Sequence, residues 1–315
     1  MNDKSFLQTQ DWLDFQKHVG RKVWRFDPPA GGGKIVANII QHDLPFGKNY
    51  LYIPHGPEIS FDKISGSIKN ELAQFVAYLK KLAKEEGSIF IKIEPFEDNV
   101  IELLYGFGFK KSSKKIQPHH SVVIDLDKTE EELLTAMHHK TRYNIKIAER
   151  NNIVVKDSSD LDTFLELLNK TSKRDRFSTH KKSYYEKLLS FFSTGSGGDP
   201  RSIKVDLVLA SFNGQPVAGA LMLLASGSCY YLHGASDYNF RAMMAPYALH
   251  WENIKYLKNN NFKHYDLWGV DANRWPGVTR FKMGFGGRQV EYPGSFDLPV
   301  SRFWYVVYKL IRNIF

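Results

Sequence analysis

A stretch near the end of the chain, YDLWGVDANRWPGVTRFKMGFGG from Tyr265 to Gly287, combines acids, cations, aromatic rings and five glycines. A lysine such as Lys282 can stabilise a developing oxyanion when it is held in a water-excluded site, and a carboxylate such as Asp266 can accept a proton. We therefore expect catalysis or close ligand contact in this stretch. The alternative is an ordinary strand, loop and surface helix in which the Lys282 ammonium is merely solvated.

Two short elements are predicted to position these groups. Tyr265–Trp268 has the composition of a β-strand, and Gly269 ends it where a backbone can approach a ligand. After a polar loop, Val278–Met283 has the length of a short helix, which places Lys282 at the end of a rigid element. Three glycines can stop that helix through φ values that other residues avoid: Gly284, Gly286 and Gly287.

Length and composition indicate a globular protein of more than one domain. With 315 residues, of which 43% are hydrophobic and 14% aromatic, the chain can bury a large core. Its net charge of +9 favours anionic partners such as RNA, nucleotide phosphates or an acidic membrane surface. The single cysteine, Cys229, excludes an internal disulfide. A polar start and the lack of any uncharged run of about 18 residues predict a cytoplasmic protein.

The order of predicted elements occurs twice along the chain. In each half, a hairpin is followed by a third strand ending at a His-Gly pair, then a helix and a fourth strand. His55-Gly56 and His233-Gly234 lie 178 residues apart, and the same distance separates Gly106-Phe107-Gly108 from Gly284-Phe285-Gly286. Solenoid repeats have far smaller periods, so this pattern predicts two copies of one α/β fold.

The sequence between the copies, TEEELLTAMHHKTRYNIKIAERNNI, predicts one long helix. Thr129 and Glu132 at its start have the spacing of a capping box. Its later half is strongly basic, with Lys140 and Arg142 among the cations and Tyr143 between them. We interpret this face as a phosphate-reading surface, and the alternative is an ordinary solvated helix face.

Several weaker motifs have simpler interpretations. Gly31-Gly32-Gly33 is not followed by the Lys-Ser/Thr of a phosphate loop, so a hairpin turn is predicted. The adjacent His138 and His139 face different sides of a helix, which argues against a metal site. Ser193–Asp199 has the composition of a linker. Arg174, in the basic run NKTSKRDRFSTHKKSYY, is a candidate anion ligand, although most such cations are simply solvated.

The two-copy pattern suggests tandem folds of the GNAT acyltransferase type. However, the loops GPEISFDKISGS and SDYNFRAMMAP lack the glycine spacing that holds the pyrophosphate of acetyl-CoA, so another acyl donor is expected. Several stretches resemble the Fem (FemABX) aminoacyltransferases, in the order of that family: HHKTRYNIKIAERNN, KRDRF, YYLHGAS, APYALHWENIKYLK, YDLWGV and GVTRFKMGFGG. With GFGFKK and IQPHHSVVIDL, the resemblance covers nearly the whole chain.

The resemblance implies an α/β (α+β) fold of two tandem GNAT-like domains, each a mixed twisted sheet with flanking helices. The expected domains are residues 1–120 joined by the C-terminal segment 291–315, and residues 121–290. The implied reaction moves an amino acid from aminoacyl-tRNA to the stem-peptide amine of lipid II or UDP-MurNAc-pentapeptide, for peptidoglycan bridge formation. No acetyl-CoA, no metal and a monomer are expected. The long two-helix arm of some members is not expected, since Asp160–Phe192 is too short to hold it.

The resemblance also implies roles for single residues. Phe281 and Lys282 match a Phe-Lys pair that lines the catalytic channel. Arg174 matches an arginine that binds the precursor's diphosphate, and we expect Lys140 and Arg142 to assist it. Further expected substrate contacts or candidate bases are Tyr231 and His233 in the channel, Glu94 in place of a family acid, Asp266, and Lys17 as the nearest counterpart of an N-terminal lysine.

Two other functions remain open at this point. One is tRNA-dependent transfer to another acceptor, such as a protein N-terminus or a lipid. The other is a non-catalytic module that binds RNA or a membrane. Loss of function on replacing Lys282 by alanine would separate the enzymes from the module.

The last segment, Ser301–Phe315, predicts an amphipathic helix. Fifteen residues are too few to span a bilayer, but cations beside an apolar stripe suit the face of a membrane. The alternative is a helix docked on the core of the first domain. The predicted stripe is Phe303, Val306, Val307, Leu310, Ile311 and Ile314.

Overall fold

The computed structural model describes residues 5–27, 35–60, 65–193 and 203–314, and at 65–67, 193 and 312–314 it describes the backbone alone. The predicted glycine turn at 31–33 and nearly all of the predicted linker at 193–199 lie outside these residues. The chain divides into two compact units, Met1–His119 with Tyr292–Phe315, and His120–Glu291.

The first unit opens with a helix and a set of antiparallel strands. Its elements before residue 119 are α1 Gln10–His18, β1 Val23–Phe26, β2 Ile35–Leu44, β3 Lys48–Pro54, β4 Glu58–Ile59, α2 Ser65–Glu85, β5 Phe90–Glu94, α3 Ile101–Gly106 and β6 Lys110–Ser112.

The second unit is formed by a continuous part of the chain. Its elements are β7 His120–Asp125, α4 Glu130–Ala136, α5 His139–Arg150, β8 Val154–Ser158, α6 Leu161–Asp175, α7 Lys182–Ser193, β9 Lys204–Phe212, β10 Gln215–Ala225, β11 Ser228–Ser236, α8 Ala245–Asn259, β12 His264–Asp266, α9 Pro276–Met283 and β13 Arg288–Glu291. The last elements of the chain, β14 Ser295–Pro299 and α10 Arg302–Ile314, belong to the first unit.

The sheet of the first unit has the strand order β1-β2-β3-β5-β14-β6, with β4 paired to the start of β2. β3 and β5 run parallel and α2 connects them, whereas the other neighbours are antiparallel. The apolar stripe predicted for the helix that became α2 lies in the core, as expected from its helical spacing: Leu72, Phe75, Val76, Leu79 and Leu82.

The sheet of the second unit has the strand order β13-β7-β12-β11-β10-β9-β8. Here β11 and β12 run parallel, and α8 connects them. The order hairpin, third strand, helix, fourth strand therefore occurs in both units, which confirms the predicted repeat. Each sheet contains one inner strand that comes, along the chain, directly after the edge strand of the other sheet. β7 follows β6 and lies between β12 and β13, and β14 follows β13 and lies between β5 and β6.

The long helix predicted after Thr129 is two helices. Its start is as expected, because the Thr129 hydroxyl accepts from the Glu132 N–H while the Glu132 carboxylate accepts from the Thr129 N–H. However, Met137 has extended backbone angles (φ −69°, ψ 148°), and α4 ends before it. The next N–H, that of His138, donates to the Gly284 carbonyl at 2.9 Å. The prediction of one helix was wrong because this tertiary hydrogen bond replaces a helical one.

Candidate active site

The candidate site lies where two parallel strands of the second unit separate. The last pair between β11 and β12 is Tyr230 with Asp266. Beyond it, β11 continues along β10 as far as Ser236, whereas the Leu267 N–H donates to the Val122 carbonyl of β7 at 2.8 Å. The backbone that follows β12 is therefore released from β11, and its carbonyls are available to side chains.

A strained residue follows directly after this strand. Trp268 has a φ of 55°, a left-handed conformation that costs a non-glycine residue of order 1 kcal/mol or more. Its N–H donates to Asp266 Oδ1 at 2.7 Å, and that carboxylate also accepts from the Ser121 hydroxyl. β12 thus ends at Asp266, two residues before the predicted end at Trp268, because the Asp266 carboxylate bends the chain there.

Lys282 holds Trp268 through the carbonyl, whereas Asp266 holds it through the N–H. Its Nζ donates to the carbonyls of Trp268 and Gly269, each at 2.9 Å, and the side chain is 8% exposed. An ammonium has three donors, so two fixed acceptors leave one N–H to point at a ligand. The structure therefore places Lys282 inside the unit rather than in solvent, and the alternative of a merely solvated lysine is wrong.

The loop before α9 sets the direction of this lysine. The Asp271 carboxylate accepts from the N–H groups of Asn273 and Arg274, and the Asp271 N–H donates to the Thr279 hydroxyl at 3.0 Å. Proline suits the first position of a helix, and Pro276 begins α9 two residues earlier than predicted. These contacts tie the helix that carries Lys282 to the end of β12.

Glycine is required after α9 for two different reasons, a positive φ at one position and close packing at another. Only Gly286 of the three has a positive φ, 80°, and a Cβ there would lie 2.5 Å from the Ala136 carbonyl oxygen. Gly284 is helical (φ −60°), so the prediction of φ freedom was wrong for it. A Cβ on Gly284 would instead lie 2.5 Å from the Thr141 hydroxyl, so close packing on α5 requires glycine.

Burial shifts both titratable groups of the site towards neutral pH. Desolvation lowers the pKa of Lys282 from 10.5 to about 8, and the Asp266 carboxylate opposes that shift. Desolvation also raises the pKa of Asp266 to about 6, against the hydrogen bonds from Ser121 and Trp268 and the charge of Lys282. At pH 7 both groups are mainly charged, but the pKa of each lies within about one unit of that pH, so either group can exchange a proton readily.

Tyr231 contributes an aromatic wall beside the lysine, with the Lys282 Nζ 5.5 Å from its ring centroid. The pairing of β10 with β11 shifts between Leu221 and Met222, which leaves Leu232 as a β-bulge. Tyr231 folds over the backbone of Gly234, where its hydroxyl oxygen lies 1.4 Å from the position a Cβ would occupy. The glycine of the His-Gly pair is therefore required by the Tyr231 ring.

Phe281 continues this wall together with a histidine that the sequence reasoning missed. His250 of α8 is fully buried, 4.5 Å from the Tyr231 ring and 5.3 Å from the Phe281 ring. Its Nδ1 lies 2.8 Å from the Tyr265 hydroxyl, and its Nε2 has no hydrogen-bond partner within the described ranges. Desolvation, then the Lys282 charge, lowers the pKa of His250 to about 3, so the ring is neutral. The sequence of α8 did not single out His250, because its place in this aromatic wall depends on burial in the folded unit.

His233 lies in a different environment from Tyr231. Its ring contacts Tyr185 of α7 at 5.3 Å and lies 6.3 Å from His180, whereas Tyr231 contacts α8. Burial, then the His180 charge, lowers the pKa of His233 to about 4. Two residues apart in a regular strand would share a face, but the bulge at Leu232 changes the alternation.

Arg174 lies at the C-terminal end of α6, and its guanidinium already pairs with a neighbouring carboxylate. Its guanidinium makes two hydrogen bonds of 2.8 Å to the Asp175 carboxylate, which raise its pKa, and it lies 5.8 Å from the Tyr238 ring centroid. Lys140 is exposed on α5. Arg142 caps the end of α4, because its Nη1 donates to the carbonyls of residues 134, 135 and 137, and its part in phosphate binding stays a prediction.

The other two expected contacts lie in the first unit. Glu94 is 3% exposed and accepts from the Tyr52 hydroxyl at 2.6 Å and from the N–H groups of Ile116 and Gln117 at 2.6 and 2.9 Å. Through these three contacts Glu94 holds the segment before β7, and its part in substrate binding or proton transfer stays a prediction. Lys17 is exposed in the last turn of α1.

Comparisons with known proteins agree with this fold. The sequence model of the FemAB family matches residues 103–197 and 207–313. A relative from Staphylococcus epidermidis, "Lipid II:glycine glycyltransferase", is 24% identical over 98% of this chain and 90% of its own length. That alignment spans 387 positions against 315 residues here, so the relative carries inserted residues. The helices after Asp160 in this chain, α6 and α7, have 15 and 12 residues.

Two solved structures show the same architecture. The crystal structure of FemX superposes with a TM-score of 0.80 at 22% identity, over 97% of this chain and 95% of that one. A tandem GNAT protein from the clavulanic acid biosynthesis pathway has a TM-score of 0.56 at 12% identity, over 92% and 94%. The expected fold of two tandem GNAT-like domains is confirmed.

Proposed function

Because the chain belongs to the FemAB family, we propose that it is an aminoacyltransferase that moves an amino acid from aminoacyl-tRNA to the stem-peptide amine of lipid II. The name of the Staphylococcus relative supports the class of acceptor. The observation that carries the proposal is the buried Lys282, held by two carbonyls at the separation of β11 and β12. The product would be one bond of a peptidoglycan bridge.

The site suits ester aminolysis. The acceptor amine attacks the ester carbonyl carbon, a C–N bond forms, and the carbonyl oxygen becomes an oxyanion. That intermediate collapses, the bond to the tRNA ribose oxygen breaks, and the proton lost by the amine balances the one gained by the ribose. Lys282 supplies a fixed cation for the oxyanion, and one preorganised donor in a water-excluded site is worth about 3 kcal/mol.

The supporting residues act by position. Asp266 and Lys282 hold Trp268 from opposite sides, so the ammonium needs no rearrangement when the oxyanion forms. Tyr231 and Phe281 form aromatic walls that exclude water beside it. A dry site strengthens the interaction of the ammonium with the developing charge.

We propose that the tRNA is met mainly through its phosphates. α5 exposes Lys140, Tyr143, Lys146 and Arg150, while its opposite side buries Ile145 and Ala148. An exposed basic face with an aromatic ring suits sequence-independent contact with RNA. For the acceptor, Arg174 remains the proposed ligand of the diphosphate, which must compete with Asp175 for the guanidinium.

The decisive experiment is transfer in vitro. The protein is incubated with synthetases, total charged tRNA and either lipid II, UDP-MurNAc-pentapeptide, a peptide with a free N-terminus, or a phosphatidylglycerol, and products are found by mass spectrometry. Acetyl-CoA replaces tRNA in a parallel arm. We expect an aminoacylated precursor, and no product with acetyl-CoA.

The control is matched within one helix. Lys282→Ala should lower transfer about 100-fold, whereas Arg280→Ala removes an exposed cation two residues away on α9 and should leave transfer unchanged. Product on the peptide or the lipid alone would establish a different acceptor. No product with any acceptor, or full activity of Lys282→Ala, would refute an enzyme that uses this site.

A further inference from the structure

The C-terminal helix α10 is fixed to the first unit by two tyrosines. Tyr305 is 8% exposed, and its ring lies 5.4 Å from the Phe90 ring; Tyr308 lies 4.8 Å from the same ring. The Tyr305 hydroxyl donates to the buried Asp297 carboxylate at 3.0 Å. These contacts set the rotation of the helix about its axis, so its other face has a defined direction.

That other face is apolar and exposed. Phe303 is 69% exposed, Val306 55% and Leu310 60%, at the spacing of one helical stripe, and Ile311 and Trp304 flank them at 40% and 36%. The stripe predicted from the sequence is thus mostly exposed, and Tyr305 and Tyr308 dock the helix on the first unit. The predicted Ile314 side chain lies outside the described residues. Single exposed apolar residues are ordinary, but five on one helix face indicate an interaction surface.

A turn of the first unit extends this surface. Phe46, between β2 and β3, is 83% exposed on a left-handed backbone with a φ of 62°. Two residues later, the Lys48 Nζ lies 4.3 Å from the Trp304 ring centroid, which places this turn beside α10. We call the six exposed residues the apolar patch: Phe46, Phe303, Trp304, Val306, Leu310 and Ile311.

The charged residues that flank the apolar stripe of α10 are positive. On the helix, Arg302 and Lys309 lie along one margin of the stripe, and Lys48 lies at the opposite margin on Trp304. From residue 298 to the end of the chain there is no acidic residue. A second copy of this chain on the patch would bring these cations against one another, whereas an anionic surface would pair with them.

From these observations we propose that the apolar patch binds the surface of an anionic lipid bilayer. The apolar stripe enters the boundary between head groups and acyl chains, the tryptophan lies at the interface, and the cations contact lipid phosphates. None of the helices in the described part of the chain is long and apolar enough to cross a bilayer. The proposal rests on the exposed residues and not on the transfer reaction, although it would bring the enzyme to a lipid-linked acceptor.

Sedimentation with vesicles tests the proposal on the full chain. Vesicles of phosphatidylcholine with 30 mol% phosphatidylglycerol are compared with pure phosphatidylcholine, at roughly 50 and 300 mM salt. We expect the protein to sediment with the anionic vesicles at low salt, and at least tenfold weaker binding for the pair Phe303→Glu and Leu310→Glu. The matched pair Val154→Glu and Tyr256→Glu changes two exposed residues of the second unit, 48% and 44% exposed, and should bind as the wild type does.

Three results would overturn the proposal. The wild type fails to bind the anionic vesicles at low salt, or both double variants lose binding equally. Alternatively, sedimentation velocity without lipid shows a dimer that the Phe303→Glu and Leu310→Glu pair dissociates, which would assign the patch to a second copy. Melting temperatures of both pairs should match the wild type, since the changed side chains are exposed. Transfer to water-soluble UDP-MurNAc-pentapeptide separates this question from the proposed reaction, because the patch variants should keep it.

Discussion

Replacing Lys282 by methionine, which has a similar length and no charge, separates the effect of this lysine on folding stability from its effect on the transfer reaction. The pKa of this lysine falls from 10.5 to about 8 in the fold. One pKa unit corresponds to about 1.4 kcal/mol, so keeping the buried ammonium charged costs about 3 kcal/mol of folding free energy. Two carbonyls lose their donor in the variant, at about 1 kcal/mol each.

The variant should therefore be more stable than the wild type by about 1 kcal/mol at pH 7. Below pH 8 both the folded and the unfolded wild type hold the proton, so the full cost is present. Between pH 8 and 10.5 the unfolded chain holds more protons than the folded one, so the wild type gains stability as the pH rises. The advantage of the variant should disappear over that range and then reverse.

The assay is urea unfolding of both proteins at pH 7, 8.5 and 10, with Arg280→Met as the control for an exposed cation. Transfer activity is measured on the same preparations, and Lys282→Met should lose about 100-fold, because about 3 kcal/mol of oxyanion stabilisation is absent. A stability difference that does not change with pH would refute the burial cost assigned to Lys282. Retained transfer would refute its part in the reaction.

Other expectations concern residues around the site. Gly234→Ala should displace the Tyr231 ring and lower transfer by at least tenfold, and should have no further effect when Tyr231 is already alanine. Arg142→Ala should lower the free energy of unfolding by about 1–3 kcal/mol, because three carbonyls at the end of α4 lose their donor, while Lys140→Ala should change it by less than about 0.5 kcal/mol. Arg174→Ala should weaken binding of a nucleotide-linked muropeptide at least tenfold by calorimetry, and unchanged affinity would exclude Arg174 as the diphosphate ligand. Binding of tRNA should weaken by about 0.7 to 0.9 log units per tenfold salt for each phosphate contacted, and a flat response would contradict the electrostatic contact.

Much of the fold was determined by local patterns. The 178-residue spacing of the His-Gly and Gly-Phe-Gly motifs predicted two copies of one element order, because a repeated sequence folds by the same local preferences. The capping box at Thr129 and the short helix carrying Lys282 are also local, since capping and helix ends depend on a few neighbouring residues. Lys282 itself was recognised from residue type and family resemblance.

The environment of each site residue depended on tertiary structure. A bulge at Leu232 puts Tyr231 against α8 and His233 against α7, and no strand pattern shows where a pairing register shifts. Arg142 caps α4 because the chain breaks at Met137, which is set by a hydrogen bond to a residue far away in sequence. Burial likewise made His250 part of the site and gave Lys282 its lowered pKa, because desolvation depends on all the atoms that surround a group, whichever part of the chain supplies them.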